Sequence, residues 1–82
     1  MTRVTLYGRP DCHLCDEARL GILRLRGEGA SFELREIDIE SDDGLFGAML
    51  ERIPVVAVDG EVVSELDLDV GRVRVALGLD AR

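Results

Sequence analysis

Residues 7–15 read Tyr7-Gly8-Arg9-Pro10-Asp11-Cys12-His13-Leu14-Cys15. This segment holds both cysteines and the only histidine of the chain. An apolar alternation at Val4 and Leu6 leads into the segment, and apolar residues at helical spacing follow it. The pattern predicts a strand, a tight turn and a helix whose first turn carries a Cys-x-x-Cys motif. A motif in this setting is typical of redox-active proteins.

The spacing of the two cysteines favours reversible disulfide chemistry. Side chains at i and i+3 of a helix lie roughly 5–6 Å apart at Cβ, and a disulfide needs Cα atoms about 4.4–6.8 Å apart. We expect Cys12 at the helix N-terminus, where free backbone N–H groups and the helix dipole favour a thiolate. Arg9 favours the thiolate as well, whereas Asp11 and Asp16 oppose it. Cys15 is expected to be more buried and to act as the resolving thiol.

Composition narrows the class of protein. The 82 residues suffice for a single domain, 1–82, with one modest core. Hydrophobic residues make up 46% and charged residues 33%, which indicates a folded globular chain rather than a disordered one. The formal net charge of −7 disfavours nucleic acid as a partner.

The sequence contains neither a signal peptide nor an apolar run of the roughly 20 residues that span a membrane. Two cysteines this close in sequence are typical of a catalytic or metal-binding pair rather than of a structural disulfide, so we expect a cytoplasmic protein, without a membrane partner.

The hydrophobic pattern predicts the element order β-α-β-α-β-β-α. Strands are predicted at residues 3–7, 31–39, 55–58 and 61–64. Helices are predicted at residues 12–26, 44–50 and 68–77, the last with Asp67 as its N-cap. A shift in the alternation between Leu34 and Ile37 predicts a bulge or the end of the second strand. Asp59-Gly60 predicts a two-residue hairpin turn.

Each predicted helix has an apolar stripe that should face the sheet. The first stripe comprises Leu14, Ala18, Gly21, Ile22 and Leu25. The second comprises Leu45, Phe46 and Met49, and the third Val70, Val73, Ala76 and Leu77. A βαβ unit followed by a hairpin and a helix predicts an α/β fold with a mixed four-stranded sheet flanked by three helices. Its first two strands should be parallel through a right-handed crossover.

The chain resembles the thioredoxin-fold superfamily, and most closely the small glutaredoxin-like proteins. The matching segments are residues 6–15, Ile37-Asp38-Ile39, Arg52-Ile53-Pro54-Val55-Val56 and Asp59-Gly60. The resemblance covers nearly the whole chain and implies a thioredoxin-like, glutaredoxin-type fold. It also implies a cis Ile53–Pro54 peptide bond beside the cysteine pair, with the Ile53 backbone pairing with an extended thiol substrate. Arg9 matches the usual Lys before the motif, which receives the glycyl carboxylate of glutathione.

Some positions depart from the glutaredoxin pattern. His13 and Leu14 replace the usual Pro and aromatic residue between the cysteines, and both are candidates for tuning the reduction potential. Ser64 and Glu65 stand where the family has a glycine pair, ahead of Asp67, in the region that binds the γ-glutamyl carboxylate. Glu65 would set an anion against that carboxylate. Glutathione therefore stays open as a co-substrate, and a protein dithiol is the alternative.

The leading hypothesis is a monomeric thiol–disulfide oxidoreductase in which Cys12 attacks and Cys15 resolves. Its expected substrates are protein or small disulfides, and its reductant the thioredoxin or the glutathione system. Arg9, Ile53 and Pro54 are the candidate substrate-binding residues, and no tightly bound cofactor is expected.

Two alternatives stay open. One is a dimer that shares an iron–sulfur cluster completed by glutathione, because Cys12, Cys15 and His13 are too few ligands for a closed zinc site. The other is a thioredoxin-like domain that docks a partner without turnover. We interpret Tyr7 as a packing residue. The carboxylates at Glu40, Asp42 and Asp43 are interpreted as a solvated turn with a helix N-cap rather than a metal site.

Overall fold

A four-stranded sheet is the centre of the molecule, and the computed structural model describes it within residues 1–79. The strands are β1 (Thr2–Gly8), β2 (Phe32–Asp38), β3 (Val55–Val58) and β4 (Glu61–Glu65). The helices are α1 (His13–Gly27), α2 (Asp43–Met49) and α3 (Val70–Ala76), with a short 3-10 helix at Ile39–Ser41. Residues 80–82, the end of the predicted domain, lie outside the described residues. The predicted element order and α/β class are confirmed, and each strand matches its prediction to within one residue.

β1 and β3 are the central strands, because the order across the sheet is β2-β1-β3-β4. β1 is parallel to β2, as a crossover through α1 requires, and β3 is antiparallel to β1 and to β4. All four residues of β3 are buried, as expected of an interior strand. Asp59 and Gly60 have φ values of 50° and 88°. Both are positive, as in the hairpin turn that Asp-Gly predicts.

The main hydrophobic core lies between one face of the sheet and the inner faces of α1 and α3. Its buried side chains are Val4, Leu6, Ala18, Ile22, Leu25, Phe32, Val56, Val58 and Val73. Strand residues two apart point to the same face, so Val4 and Leu6 of β1 meet this core together. Burial of such apolar side chains is the main favourable term in folding, at about 25 cal/mol per Å² removed from water.

The inner face of α1 differs from the prediction at its first turn. Cys15, Ala18, Ile22 and Leu25 are buried, whereas Leu14 is 44% exposed. The prediction of Leu14 as a core residue is therefore wrong, and Cys15 takes that place. The stripe is rotated by about one residue because the sulfur of Cys15 packs toward the end of β1.

The change in alternation along β2 reflects the end of the strand rather than a bulge. The pairing of β1 with β2 runs continuously from Thr2–Phe32 to Gly8–Asp38. β2 ends at Asp38, and the next residue, Ile39, is buried within the 3-10 helix. The register shift of this sheet lies between β3 and β4, at Val56 and Ala57.

α2 is the least buried helix. It begins after Asp42, whose carboxylate Oδ1 accepts a hydrogen bond from the Leu45 N–H at 3.1 Å, so the predicted cap among residues 40–43 is confirmed. Leu45, Phe46 and Met49 are half-buried, and the other side chains of α2 are exposed. Its contribution to the core is smaller than predicted. Within residues 1–79, no helix combines the length and the apolar character needed to cross a bilayer.

α3 begins two residues later than predicted, because Asp69 rather than Asp67 is its N-cap. Asp69 Oδ1 accepts from the Arg72 N–H at 3.1 Å. Asp67 lies in the preceding turn, where the Ser64 hydroxyl donates to its carbonyl at 3.3 Å and accepts from the Asp69 N–H at 2.9 Å. The side chain buried by α3 is Val73, with Val70 and Leu77 half-buried. Ala76 is exposed, contrary to prediction.

Replacing Asp69 by alanine is expected to destabilise the protein by about 1 kcal/mol, because the Arg72 N–H loses its acceptor. Asp67→Ala is the matched control, since the sequence alone favoured Asp67 as the cap. The free energy of unfolding from urea titration of both variants measures the difference. Equal losses for the two variants would contradict the assignment of the cap.

Candidate active site

The two cysteines lie at the junction between β1 and α1. Cys12 is the N-cap of α1, and Cys15 lies in its first turn. A disulfide joins them, with Cα atoms 5.2 Å apart. Cys12 is half-buried, whereas Cys15 is only 2% exposed. Another molecule can therefore approach Cys12, whereas Cys15 lies behind it.

The first turn of α1 donates hydrogen bonds to both the sulfur and the carbonyl of Cys12. Cys12 Sγ accepts a hydrogen bond from the Cys15 N–H at 3.2 Å, and the Asp16 N–H donates to the Cys12 carbonyl at 3.1 Å. Asp11 makes the turn before them with φ of 61°, a conformation that Asp tolerates better than most residues. A sulfur at this position faces the partial positive charge of a helix N-terminus, which stabilises an anion.

Gly8, the last residue of β1, lies directly against Cys15. A Cβ at position 8 would be 3.0 Å from Cys15 Sγ and 3.1 Å from its Cβ. The antiparallel pair Tyr7–Val55 also carries Pro54 to the level of Gly8 at the end of the sheet. Nothing in the sequence pattern had marked Gly8 for this contact. The signal that could have found it is a glycine at the strand end preceding a Cys-x-x-Cys turn.

Replacing Gly8 by alanine is expected to destabilise the oxidised protein by about 1–3 kcal/mol, because the added methyl overpacks against Cys15. Gly27→Ala is the control, since a Cβ built there meets no other heavy atom of residues 1–79 within 4 Å beyond its chain neighbours and the backbone of its own helix. Thermal unfolding of both oxidised variants measures the difference. A Gly8→Ala protein as stable as the wild type would show that Cys15 has more room than the structure gives it.

The candidate charges near the cysteines are paired with carboxylates. Arg9 Nε lies 3.5 Å from Glu40 Oε2, so Glu40 is more than the solvated turn residue that the sequence suggested. His13 Nε2 lies 2.7 Å from Glu17 Oε2, and the His13 side chain is 86% exposed. Together with the exposed Leu14, these residues form the surface around Cys12.

A cleft of about 290 Å³ opens on the other side of the pair, between Cys15 and the end of β2. Arg19 crosses it, with nitrogens 3.1 Å from Asp16 Oδ1 and 2.6 Å from Glu36 Oε1. The hydrogen bond to Glu36 is the main cause that raises the pKa of Arg19. The guanidinium therefore links the first turn of α1 to β2.

The Ile53–Pro54 peptide bond is cis, as the resemblance implied. Pro54 is fully buried and Ile53 half-buried. Arg52, immediately before them, donates from Nη2 to Glu65 Oε2 at 2.5 Å, and its carbonyl accepts from the Leu66 N–H at 2.9 Å. The hydrogen bond from Arg52 lowers the pKa of Glu65. The carboxylate at the position of the family's glycine pair is thus a paired anion, which the sequence did not reveal.

Side chains that could bind a metal ion do not cluster in the part of the chain that the structure describes. Among residues 1–79, no group of three or more His, Cys, Asp or Glu side chains is placed to hold a metal ion. The residues that the cluster hypothesis considered, Cys12, Cys15 and His13, are divided between a disulfide and the contact of His13 with Glu17.

Comparisons with known proteins agree with this fold. A sequence model of the glutaredoxin-like domain (DUF836) matches residues 3–78. No curated protein matched the chain in a sequence search.

Solved structures resemble the chain over nearly its full length. The solution NMR structure of protein Ne2328 from Nitrosomonas europaea is 28% identical with a TM-score of 0.77, covering 93% of this chain and 91% of that chain. The X-ray structure of the structural genomics target XcR50 from X. campestris is 32% identical with a TM-score of 0.72, covering 94% and 97%. A mutant thioredoxin from Halobacterium salinarum, 18% identical with a TM-score of 0.64 over 93% and 71%, shares the fold.

Proposed function

Because the chain belongs to the glutaredoxin-like domain family, we propose that it is a thiol–disulfide oxidoreductase that carries two electrons on Cys12 and Cys15. The main support is the asymmetry of the pair. Cys12 is the more accessible residue, and its sulfur accepts the Cys15 N–H at the start of α1, whereas Cys15 lies behind it at 2% exposure. A thiolate is both the better nucleophile and the form that this position favours.

The reaction proceeds by two exchanges. The Cys12 thiolate attacks one sulfur of a substrate disulfide, and the other substrate sulfur leaves as a thiolate, which takes up a proton. The Cys15 thiol loses its proton, and its sulfur then attacks Cys12 Sγ in the mixed disulfide. The second substrate sulfur leaves, so the substrate gains two electrons and two protons while the protein becomes the disulfide. A dithiol such as a thioredoxin, or two molecules of glutathione, restores the two thiols.

The neighbouring residues have supporting roles in this proposal. The Ile53 backbone would pair with an extended substrate, with Pro54 holding that segment in place. Arg9 would have to exchange Glu40 for a substrate carboxylate, because the two are paired in the free protein. His13 and Leu14 would tune the reduction potential, and Glu17 would offset the charge of a protonated His13. We place the reaction in a reducing compartment such as the cytosol, with the protein acting as a monomer.

A redox titration tests the proposal. The protein is equilibrated in glutathione buffers and, separately, with a thioredoxin at graded ratios, and the free thiols are counted by alkylation and mass spectrometry. We expect one two-electron transition, with Cys12 and Cys15 protected together in the oxidised form. A pair that stays reduced, or that exchanges with neither couple, would leave the proposal without support. The pKa of Cys12 separates turnover from mere docking, since a value like that of a free thiol, about 8.5, favours docking.

A further inference from the structure

A groove of about 450 Å³ lies between α1 and the segment that leads into α3. Leu14, Leu20 and Leu68 line it with apolar surface. Leu14 is 44% exposed and Leu20 is 56% exposed, so both apolar side chains lie on the solvent-facing side of α1. The groove starts at Leu14, between the two cysteines, so a chain held at Cys12 meets it at once. Exposed apolar surface of this kind, with a polar rim, is typical of a binding site.

The floor of the groove is tight where α1 meets the segment before α3. The side chain of Leu68 fills the space that a Cβ at Gly21 would occupy, so the two segments approach as closely as a glycine allows. The groove is therefore shallow at Gly21 and depends on Leu14 and Leu20 for its side wall. This shape suits an extended peptide segment better than a globular surface.

The charges on the rim are mainly negative. Glu17 and Asp67 line the groove close to Leu14. Among residues 1–79, the Asp67 carboxylate has neither an ion pair nor a hydrogen bond from a side chain. Arg24 lines the far end, ten residues along the helix and thus about 15 Å from Leu14.

The arginines around the cysteine pair leave this negative charge uncompensated. Arg9 is paired with Glu40, Arg19 with Asp16 and Glu36, and Arg52 with Glu65. Each of these ion pairs is exposed, and each guanidinium acts at short range on its own carboxylate partners rather than on the groove. The field that an approaching molecule meets over the Leu14 end of the groove is thus set by Glu17, Asp67 and the net charge of −7, with Arg24 acting at the far end.

We propose that this groove, the Leu14–Asp67 groove, docks an extended, positively charged segment of a disulfide-bearing protein. An apolar side chain of that segment lies between Leu14 and Leu68, and a Lys or Arg next to it pairs with Asp67. The inference rests on the proposed function and names its substrate class. Complementary charge speeds the encounter with such a segment, and like charge rejects anionic disulfides such as that of glutathione.

Two disulfide-linked peptides test the inference. They share one sequence, with a leucine beside the cysteine, and carry either two Lys or two Glu residues beyond it. The rate at which each oxidises the reduced protein is divided by its rate with dithiothreitol, which removes the intrinsic reactivity of the disulfide. We expect the Lys peptide to react at least about fivefold faster at low ionic strength, and the preference to shrink at high ionic strength.

Variants assign the preference to the groove. Asp67→Asn is expected to lower the Lys-to-Glu rate ratio about two- to fivefold, the effect of one exposed charge. Glu61→Gln, an exposed carboxylate at the hairpin end of β4, removes the same charge elsewhere and should leave the ratio unchanged. Equal rates for the two peptides, faster reaction of the Glu peptide, or an Asp67→Asn ratio like that of the wild type would each overturn the inference.

An uncharged disulfide keeps this test separate from that of the proposed function. Bis(2-hydroxyethyl) disulfide has no charge for Asp67 to select. If the protein reduces this disulfide but shows no preference between the peptides, the proposed role of the groove is wrong and the proposed oxidoreductase function is retained. If the protein reduces neither it nor the peptides, the proposed function itself fails.

Discussion

Replacing Cys12 by serine is expected to abolish disulfide reduction, with a loss of about a thousandfold or more in turnover. A hydroxyl is a far weaker nucleophile than a thiolate at neutral pH, and losing a nucleophile is among the largest effects of a single substitution on an enzyme. The Cys15 sulfur cannot take over, because it is only 2% exposed. Reduction of bis(2-hydroxyethyl) disulfide, coupled to a dithiol reductant, measures the loss.

Cys15→Ser is the matched control for this prediction. It leaves Cys12 at the start of α1, so the first exchange proceeds and the mixed disulfide accumulates for want of a resolving thiol. Mass spectrometry after a single turnover should find one of the two thiol halves of the substrate attached to Cys12 as a mixed disulfide. If the Cys12→Ser protein retained full activity, or if substrate became attached to Cys15 instead, the assignment of the two roles would be wrong.

Replacing Ile22 by alanine is expected to lower the free energy of unfolding by about 2–5 kcal/mol, the cost of the lost apolar contacts and the remaining cavity. Ile22 is fully buried in the core between α1 and the sheet. Small domains are stable by only about 5–15 kcal/mol, so the variant is expected to lose a large share of its stability. The same helix therefore carries both the redox site and a principal part of the core.

Leu20→Ala provides the comparison for that prediction. Leu20 lies on the same helix at 56% exposure, so its truncation should change the free energy of unfolding by less than about 1 kcal/mol. Urea unfolding of both variants, in the oxidised form, measures the two values. Similar losses would mean that α1 does not bury the face that the structure describes.

Local sequence signals predicted the fold well where one residue type dominates the conformation. The Cys-x-x-Cys turn, the Asp59-Gly60 hairpin and the apolar run of Val55–Val58 each occur at their predicted positions. These signals depend on neighbours in the sequence, so tertiary packing had little to change. The resemblance supplied the cis bond before Pro54, which the residues alone would not have favoured.

Predictions that depend on packing were less accurate. Helical spacing fits a stripe that starts at Leu14 as well as one that starts at Cys15, and the contact of Cys15 with Gly8 decides between them. Asp67 and Asp69 are equally good caps by residue type, and the hydrogen bonds of Ser64 place the start of α3 at the second. The pairing of Arg52 with Glu65 joins residues 13 positions apart, which only the sheet register brings together.

The bare Cα at position 8 also has a consequence for protein engineering. A designer who grafts only Cys-His-Leu-Cys onto a new helix omits the strand end that leaves clearance for the second sulfur. The transplantable unit runs from Gly8 to Cys15, together with a scaffold strand that can present a glycine at that point. A host with any larger residue at that position would lack the space that the side chain of the second cysteine occupies.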